Sequence, residues 1–514
     1  MPKLPVTEHP DARSGLTIQG EKPENRTFGA HGETGRARVV ETHVSILFFV
    51  GDRVYKLRKP VAFDFLDFRE REARREDCQR EVALNSRLAP DAYLGVADIQ
   101  VGGVPVDHMV VMQRMPDERR LARMARDGAD LDREVRSVAK TLADFHSKAA
   151  RSSEISSAAT REALKANWQA NFAETEPFVG AILDGQVEAD IHRLVDQWLK
   201  GRDQLLGDRI ATGRVCDGHG DLQAEDIFCL DDGIRILDCI EFSDRLRYGD
   251  VIADVAFLAM DLERLGRPEL AARLLADYQE FSGDRFPDSL VHHYSASRAY
   301  VRAKVACLRS RQGAPEAADE AVKLQALALS HLRQARVNLV LVGGLPGSGK
   351  STLAAGLGAS NRWPVLRSDD IRWEMGRTAD DESPPGYLMA RYSPTHTAEV
   401  YDKLLQRAGY LLERGESVIL DASWIDLHRR DEARRVADRT SSNLVEVCCE
   451  VHADEAVARI ERRLSQHADV SEATPEVRAA MEQSMDIWPS ATPIDTTGAT
   501  PEQSLARALD ALPE

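Results

Sequence analysis

Two apolar stretches near the start of the chain have the composition of paired β-strands. Residues 44–50 and 53–57 are rich in β-branched and aromatic side chains, and the Gly-Asp pair between them favours a tight turn. A second hairpin, with a Gly-Gly turn, is predicted over 96–115. The charged stretch 69–88 between the hairpins is predicted to be a helix. We therefore expect the chain to begin with strands and one helix.

The middle of the chain has the periodicity of helices. Apolar residues recur at intervals of three and four over the predicted helices, which are 131–150, 187–206, 250 to about 309 and an Ala-rich stretch to about 336. Two short strands, 226–230 and 234–239, interrupt these helices around an Asp-Asp-Gly turn. This region is expected to be largely helical.

Strands and helices alternate in the last third of the chain. The predicted strands are 337–342, 365–367, 417–420 and 444–450. Such alternation predicts a parallel, doubly wound sheet. A pattern break at 311–315 separates the two halves. The predicted organisation is a flexible tail over 1–34, a first domain over 35–311, a helical linker over 312–336 and a second domain over 337–514.

Composition narrows the classes of function. The 514 residues are 43% hydrophobic, enough for globular cores, and a net charge of −17 argues against broad nucleic-acid binding. Seven cysteines without a CxxC pair predict free thiols in a reducing cytoplasm. The chain begins without signal-peptide character, and no apolar run approaches the roughly 18 residues of a membrane span. A cytoplasmic protein without a membrane span is expected, and the sequence does not indicate its oligomeric state.

A glycine-rich motif, G-L-P-G-S-G-K-S-T, follows the predicted strand 337–342 and precedes a predicted helix. Its glycines allow backbone N–H groups to turn towards an anion, and the helix N-terminus adds further donors. The lysine would reach the β- and γ-phosphates, and the hydroxyl after it would bind Mg²⁺. An ordinary Gly-rich turn is the less favoured interpretation. The predicted nucleotide contacts are Gly344, Pro346, Gly347, Ser348, Gly349, Lys350, Ser351 and Thr352.

Charged residues at three later points would complete this site. Asp369 follows the second strand and would accept a hydroxyl proton, while Arg372 would neutralise phosphate charge. Asp421 ends a buried strand and would support Mg²⁺, with a structural hydrogen bond as the alternative. Three arginines on one face of a later helix would close over the phosphates or simply face solvent. They are Arg459, Arg462 and Arg463.

Residues 337 to about 480 resemble the branch of P-loop kinases that includes the polynucleotide-kinase 5′-kinase domain and the zeta toxins. In the 5′-kinases an aspartate after the second strand activates the hydroxyl and an arginine follows three residues later; Asp369 and Arg372 match these positions. The resemblance implies an α/β P-loop fold, ATP as phosphate donor and kinase chemistry. It implies no acceptor, because members of this branch differ in their acceptor pockets.

A second motif lies in the first domain. His219-Gly220-Asp221 is followed by Asp226, and Asp238 comes 17 residues after Asp221. In kinase-like phosphotransferases this order supplies a base for the acceptor hydroxyl, here Asp221. It also supplies two Mg²⁺ ligands, here Asp226 and Asp238. The motif therefore predicts a second phosphate-transfer site.

Two charged residues upstream support this prediction. Lys56 lies on the predicted strand 53–57 and Glu81 in the next helix, like the lysine that holds phosphates and the glutamate that orients it. A lysine on an exposed strand edge is the common alternative. With the motif above, these residues resemble the aminoglycoside phosphotransferase family, of choline/aminoglycoside kinase-like fold, over about 35–310. The resemblance implies an α+β protein-kinase-like domain in which the strand 109–115 reads adenine.

Two features depart from the pattern of that family. Asp226 stands where asparagine is usual, although a carboxylate also binds Mg²⁺, and no GxGxxG precedes Lys56. His146, in a helix that recurs in the family, is interpreted as a packed or capping residue rather than a catalytic one. The order of the two halves resembles an uncharacterised bacterial group that fuses such a domain to a P-loop ATPase.

The sequence therefore predicts an ATP- and Mg²⁺-dependent phosphotransferase with two nucleotide sites. The expected partner is a small molecule with a hydroxyl acceptor, such as a sugar or an aminoglycoside-like compound. One alternative is an ATP-sensing regulatory protein in which one kinase fold is inactive, a possibility that Asp226 keeps open. The other is a nucleic-acid 5′-end kinase, which the acidic balance argues against.

Overall fold

The computed structural model describes residues 17–20, 38–42, 44–63, 66–376, 394–466 and 474–512. Contacts divide the chain into two compact units, which alternate along the sequence. Unit 1 comprises Met1–Ala158 and Arg214–Asp284, and unit 2 comprises Ala159–Gly213 and Arg285–Glu514. The domain limits predicted from the sequence place a single boundary at 312–336 and stay a prediction.

An antiparallel sheet forms one side of unit 1. Six described strands lie in the spatial order Thr17–Gly20, Tyr93–Val101, Val104–Gln113, Arg53–Arg58, Ser45–Val50 and Arg38–Glu41. Both predicted hairpins are present in it. The strand Thr17–Gly20 was not predicted and lies within residues 1–34, whose assignment as a flexible tail stays a prediction.

The helix Arg71–Asn85 packs against the two strands that follow it in the sequence, Tyr93–Val101 and Val104–Gln113. The core between helix and sheet contains Val54, Cys78, Val110 and Met112. Side chains alternate along a strand, so Lys56 and the residue two places later lie on the same face of Arg53–Arg58. This packing sets the strand lysine beside the helix.

Helices and two small hairpins make up the rest of unit 1. Its described helices are Leu121–Arg126, Asp132–Lys148, Ser153–Ser157, Asp244–Arg247, Val251–Arg264 and Pro268–Ser282, with 3₁₀ turns at Asp117–Arg119 and Ala224–Asp226. Three short strand pairs are antiparallel: Ala62–Phe63 with Leu66–Asp67, Val215–Asp217 with Tyr248–Asp250, and Ile227–Leu230 with Gly233–Ile236. The last pair is the hairpin predicted before Asp238.

Unit 2 contains a parallel sheet with helices on both faces. Its five described strands lie in the order Val365–Arg367, Val418–Asp421, Asn338–Gly343, Asn443–Glu450 and Thr492–Asp495. Separate apolar clusters cover the two faces, one around Leu341 and Trp424 and the other around Val340 and Ile494. Four strands were predicted from the sequence, and the doubly wound α/β class is confirmed.

The helices of unit 2 belong to two groups. Those of the parallel-sheet domain are Lys350–Asn361, Ser368–Gly376, Pro394–Glu413, Leu427–Arg439, Ala453–Gln466, Pro475–Gln483 and Pro501–Leu509. The others precede the sheet in the sequence and are Arg161–Thr175, Gly185–Lys200, Asp203–Ala211, Asp288–Arg311 and Ala317–Gln334, with a 3₁₀ turn at Glu176–Phe178. The single helix predicted over 187–206 is thus two helices.

The break between those two helices lies where they meet the sheet domain. Arg202 is buried, and its Nη1 donates to the carbonyl oxygens of Leu412 at 2.7 Å and Thr440 at 3.1 Å. Nearby, the Ser289 hydroxyl donates to the carbonyl oxygen of Gly415 at 2.7 Å. Buried polar groups of this kind hold helices and sheet domain in one packed unit.

All seven cysteines are buried free thiols. Across the described residues, no helix has both the length and the apolar character that a bilayer crossing needs.

Candidate active sites

Lys56 lies at the centre of the site in unit 1. Its Nζ is 2.8 Å from Glu81 Oε1 and 3.0 Å from Asp238 Oδ1. Glu81 is fully buried in the helix Arg71–Asn85. Burial alone would lower the pKa of Lys56, but the charges of Asp238 and Glu81 outweigh burial and raise this pKa well above its usual range. The ammonium is therefore a fixed positive charge between two elements.

Asp238 occupies an unusual backbone conformation just after the second hairpin strand. Its φ is 64°, in the left-handed region that few residues other than glycine adopt. Neighbouring hydrogen bonds hold it there: its N–H donates to the Tyr93 hydroxyl at 3.2 Å, and the N–H of Leu237 donates to the Asp226 carbonyl at 2.9 Å. The Lys56 charge is the main cause of the lowered pKa of Asp238. Strain of this kind is typical of functional positions.

The charges of two predicted carboxylates act on a third, Asp226. Burial, followed by the charges of Asp238 and Asp221, raises the pKa of Asp226 well above its usual range. Asp226 and Asp238 would each supply a carboxylate, the kind of hard oxygen ligand that Mg²⁺ prefers. Within the described part of the chain, no three His, Cys, Asp or Glu side chains form a complete metal site. Asp226 and Asp238 would therefore share the ion with phosphate oxygens and water.

Asp254 supports the loop that carries Asp221. Its carboxylate accepts the backbone N–H groups of His219 at 2.7 Å and Gly220 at 2.9 Å. His146 is buried beside it, with Nε2 3.4 Å from Asp254 Oδ2 and Nδ1 2.9 Å from the Tyr278 hydroxyl. This agrees with the interpretation of His146 as a packed residue. Asp254 was not predicted, although an aspartate inside the apolar helix Val251–Arg264 was an available signal.

The glycine-rich loop of unit 2 connects Asn338–Gly343 to the helix Lys350–Asn361. Gly347 has a φ of 81°, and a Cβ there would lie 2.6 Å from the Ala456 carbonyl oxygen, so only glycine fits. A cavity of about 370 Å³ opens in front of the loop. Its lining residues are Gly347, Gly349, Lys350, Ser351, Thr352, Leu353, Arg459, Arg462, Arg463, Thr496, Ala499, Pro501 and Ser504.

Two buried oxygens beside the loop have no hydrogen-bond partner among the described residues. They are Ser348 Oγ and Asp421 Oδ1. Asp421 ends the strand next to the loop, and its Oδ2 accepts from Arg367 Nε at 3.2 Å. Burial raises the pKa of Asp421, while the Lys350 charge and a hydrogen bond from Ser351 act in the opposite direction. A hydroxyl, a carboxylate and a lysine so arranged fit a phosphate-bound Mg²⁺.

Asp369 and Arg372 form an ion pair at the start of the helix Ser368–Gly376. Arg372 Nη1 is 2.7 Å from Asp369 Oδ1. Asp369 also lies close enough to Asp421 for its charge to raise the pKa of that residue. The geometry brings the predicted base to the same end of the sheet as the glycine-rich loop. Residues 377–393, which follow, lie outside the described residues.

All three arginines of the predicted face line the cavity. Arg459 is fixed by Glu455 at 2.6 Å and by the Thr496 hydroxyl at 3.0 Å. The Thr496 hydroxyl in turn donates to the Ser348 carbonyl oxygen at 2.9 Å, and Arg478 Nη1 donates to the Pro346 carbonyl oxygen at 2.7 Å. Sequence reasoning missed Thr496 and Arg478, because both act on the backbone of a distant loop.

The fold and the two sites define a kinase: a protein-kinase-like domain followed by a P-loop domain in one chain. Family models match both regions. Residues 49–288 match "Phosphotransferase enzyme family", and residues 339–487 match "AAA domain". The two resemblances stated for the sequence are thereby confirmed.

Two mycobacterial proteins align with nearly the whole chain. Uncharacterized protein Rv2004c of Mycobacterium tuberculosis (strain H37Rv) is 42% identical over 472 residues, which cover 91% of this chain and 94% of that protein. Uncharacterized protein Mb2027c of Mycobacterium bovis has the same identity and coverage. The chain belongs to the family of these proteins.

Solved kinase structures show weaker likeness. A choline/ethanolamine kinase family protein from Mesorhizobium loti is 14% identical, with a TM-score of 0.38, over 59% of this chain and 94% of its own. The Mycobacterium tuberculosis APS kinase CysC, solved with AMPPNP and APS, is 20% identical, with a TM-score of 0.28, over 35% of this chain and 99% of its own. At these scores neither likeness bears on the substrate.

Proposed function

We propose that the chain is an ATP- and Mg²⁺-dependent phosphotransferase with one nucleotide site in each unit and small-molecule hydroxyl groups as acceptors. The observation that carries the proposal is Lys56 Nζ, 2.8 Å from Glu81 and 3.0 Å from Asp238. A lysine fixed between a helix glutamate and a metal-binding aspartate is what a kinase-like site needs to hold ATP phosphates.

Each charged residue of the first site then has a distinct role. Lys56 would bind phosphate oxygens, and Asp226 and Asp238 would hold Mg²⁺, which neutralises charge on the phosphates when bound. Asp221 would orient the acceptor hydroxyl and take its proton. The hydroxyl oxygen then forms a bond to the γ-phosphorus, the bond to the β-phosphate oxygen breaks, and ADP leaves.

The second site would perform the same kind of transfer. Lys350, Ser348 and the loop backbone would bind phosphates, and Ser351 with Asp421 would hold Mg²⁺. Asp369 would take the acceptor proton. Four arginines would stabilise the negative charge of the phosphates: Arg372, Arg459, Arg462 and Arg463.

A sugar or an aminoglycoside-like compound is the acceptor class that we propose. The first site contains Asp221, Asp226 and Asp238, and carboxylates accept hydrogen bonds from hydroxyl groups and attract cationic amines. We place the enzyme in the cytoplasm, since seven buried free thiols suit a reducing compartment.

An ATP-sensing role is the second candidate, and Asp226 is the feature that favours it. An active first site should transfer labelled γ-phosphate to a small molecule, and Asp221→Asn should abolish this transfer while Lys350→Ala preserves it. The acceptor panel should contain sugars, aminoglycosides, nucleosides and oligonucleotides, tested with both variants. If transfer persists in Asp221→Asn but is lost in Lys350→Ala, the first site binds ATP without catalysing transfer, as a sensor would. Labelling of oligonucleotide 5′-ends would instead indicate a nucleic-acid kinase.

A further inference from the structure

Arg58 lies two residues after Lys56 on the same strand face and contacts three acidic side chains. Its Nε is 2.7 Å from Asp77, its Nη2 is 2.7 Å from Glu81, and the same Nη2 pairs with Glu241. Its Nη1 donates to the Ser45 hydroxyl at 2.8 Å. The side chain is buried, so all of its polar contacts are made inside the protein.

Glu81 is shared between the two cations of the strand. Its Oε1 accepts from Lys56 and its Oε2 accepts from Arg58. The helix that carries Glu81 is therefore bound to the strand twice, and only one of these bonds uses the residue that would hold phosphates. The bond to Arg58 uses the other carboxylate oxygen and does not involve Lys56.

Glu241 connects the same arginine to the metal-binding segment. It comes three residues after Asp238 and is buried. The segment is thus joined to the strand by two ion pairs, Lys56 with Asp238 and Arg58 with Glu241. Bound nucleotide would replace the first pair, since Lys56 would turn to phosphate and Asp238 to the metal ion. The second pair involves neither group.

We propose that Arg58 is a positioning residue of the first site, which holds Glu81 and, through Glu241, the Asp238 segment in place after Lys56 has left Asp238 for the phosphates. The inference rests on the proposed nucleotide site of unit 1. It predicts an effect on Mg²⁺ binding that a purely structural ion pair would not have.

The test measures the Mg²⁺ requirement of nucleotide binding in the full chain. The Lys350→Ala substitution removes nucleotide binding at the second site. In this background, binding of a fluorescent ATP analogue is measured while MgCl₂ is titrated. The pH is held near 8, because burial raises the pKa of Glu241 to about 7 and its carboxyl group must be ionised. Residues behind metal ligands tune metal affinity by about 10- to 100-fold. Glu241→Gln should therefore raise the half-saturating Mg²⁺ concentration about tenfold.

Matched variants separate positioning from stability. Arg58→Met should raise the Mg²⁺ requirement at least as much as Glu241→Gln, and Arg58→Lys should restore little, because one ammonium cannot replace three nitrogens of a guanidinium. Arg53 lies on the same strand, but its side chain is 37% exposed. The Arg53→Met variant should therefore have the same half-saturating Mg²⁺ concentration as the parent. Thermal midpoints identify any variant that is not folded.

An unchanged Mg²⁺ requirement in folded Glu241→Gln would overturn the inference alone. The Glu241 variant retains Arg58 with its other two partners, so it tests the link even if Arg58→Met does not fold. Failure of the proposed function looks different: the Lys350→Ala parent would show no Mg²⁺-dependent binding, and adding Lys56→Met would change nothing. That result would overturn the nucleotide site and the inference with it.

Discussion

Gly201 lies directly against the carbonyl group of Thr440. A Cβ built on Gly201 would be 2.1 Å from the Thr440 oxygen and 2.9 Å from its carbon. The φ of Gly201 is −100°, which any residue adopts, so the requirement for glycine is one of space and not of conformation. The next residue, Arg202, donates to the same oxygen, and the helix break is therefore fixed by packing on the sheet domain.

Gly201→Ala should destabilise unit 2 through the steric clash alone, because alanine readily adopts the φ of Gly201. Overpacking at a rigid contact costs about 1–3 kcal/mol, and a carbonyl oxygen on a packed helix end has little freedom to move. The midpoint of urea unfolding should fall accordingly.

Gly207→Ala is the matched control for this substitution. Gly207 lies in the helix Asp203–Ala211, and a Cβ there would meet nothing within 4 Å. It should stabilise the protein by about 0.5–1 kcal/mol, because alanine is the better helix former. Equal midpoints for the two variants would contradict the steric account.

Asp254→Asn should slow phosphate transfer at the first site. The carboxylate accepts two backbone N–H groups, whereas an amide offers one acceptor oxygen and sets its own N–H₂ against the second donor. Hydrogen bonds to charged groups contribute about 1.5–3 kcal/mol, so kcat should fall about 10- to 100-fold. ATP turnover in the Lys350→Ala background is the measurement.

Asp144→Asn serves as the comparison for Asp254→Asn. Asp144 is in the same helix as His146, but its side chain is exposed and pairs with the exposed Lys148 at 2.7 Å. Its turnover should match the parent. If Asp254→Asn also matched the parent, the support of the Asp221 loop by Asp254 would be unnecessary for transfer.

Two features of the candidate sites are set by local pattern, and the sequence could indicate them. The Lys56–Glu81 contact follows from a strand, a helix and the spacing between them, and the glycine-rich loop follows from its strand and helix neighbours. Arg58 and Glu241 act through contacts between elements far apart in the sequence, so no local pattern indicates them. An aspartate inside an apolar helix singles out Asp254, but the pattern does not show that its partner is the distant loop at His219.

The missed fifth strand has a similar explanation. Thr492–Asp495 is a short edge strand in which only Ile494 is buried, and it contains Pro493. Proline is tolerated at sheet edges, but it weakens any prediction of a strand from composition. Because this strand was not predicted, the sequence also did not indicate the structural role of Thr496, which follows it directly.

Thr496→Val should weaken nucleotide binding at the second site. Valine keeps the shape of the side chain but loses the bonds from its hydroxyl to the Ser348 carbonyl and from Arg459. Each such bond contributes about 0.5–1.5 kcal/mol, so the loss of both should raise the Kd of a fluorescent ATP analogue about 5- to 150-fold. The titration is done in a Lys56→Met background. Thr492→Val, at an exposed position of the strand that precedes Thr496, should leave the Kd unchanged.

His293 should make unit 2 sensitive to acid. The ring is buried and stacks on Trp198, with centroids 3.8 Å apart. Burial, and then the charge of Arg202, lowers the pKa of His293 to about 3, against about 6.5 in the unfolded chain. Between these values the unfolded state binds a proton that the folded state does not bind. The free energy of unfolding should therefore fall by about 1.4 kcal/mol per pH unit as the pH decreases below about 6.5.

His293→Gln separates this effect from general acid sensitivity. The variant should be less stable than the parent near neutral pH, because Trp168 Nε1 donates to His293 Nε2 at 3.4 Å and the ring stacking is lost. Its urea midpoint should nevertheless fall less steeply than that of the parent between about pH 6.5 and pH 5, where the parent loses about 2 kcal/mol through His293. His428→Gln, at a position 62% exposed, should keep the slope of the parent. Parallel slopes for His293→Gln and the parent would show that His293 is protonated equally in the folded and unfolded states.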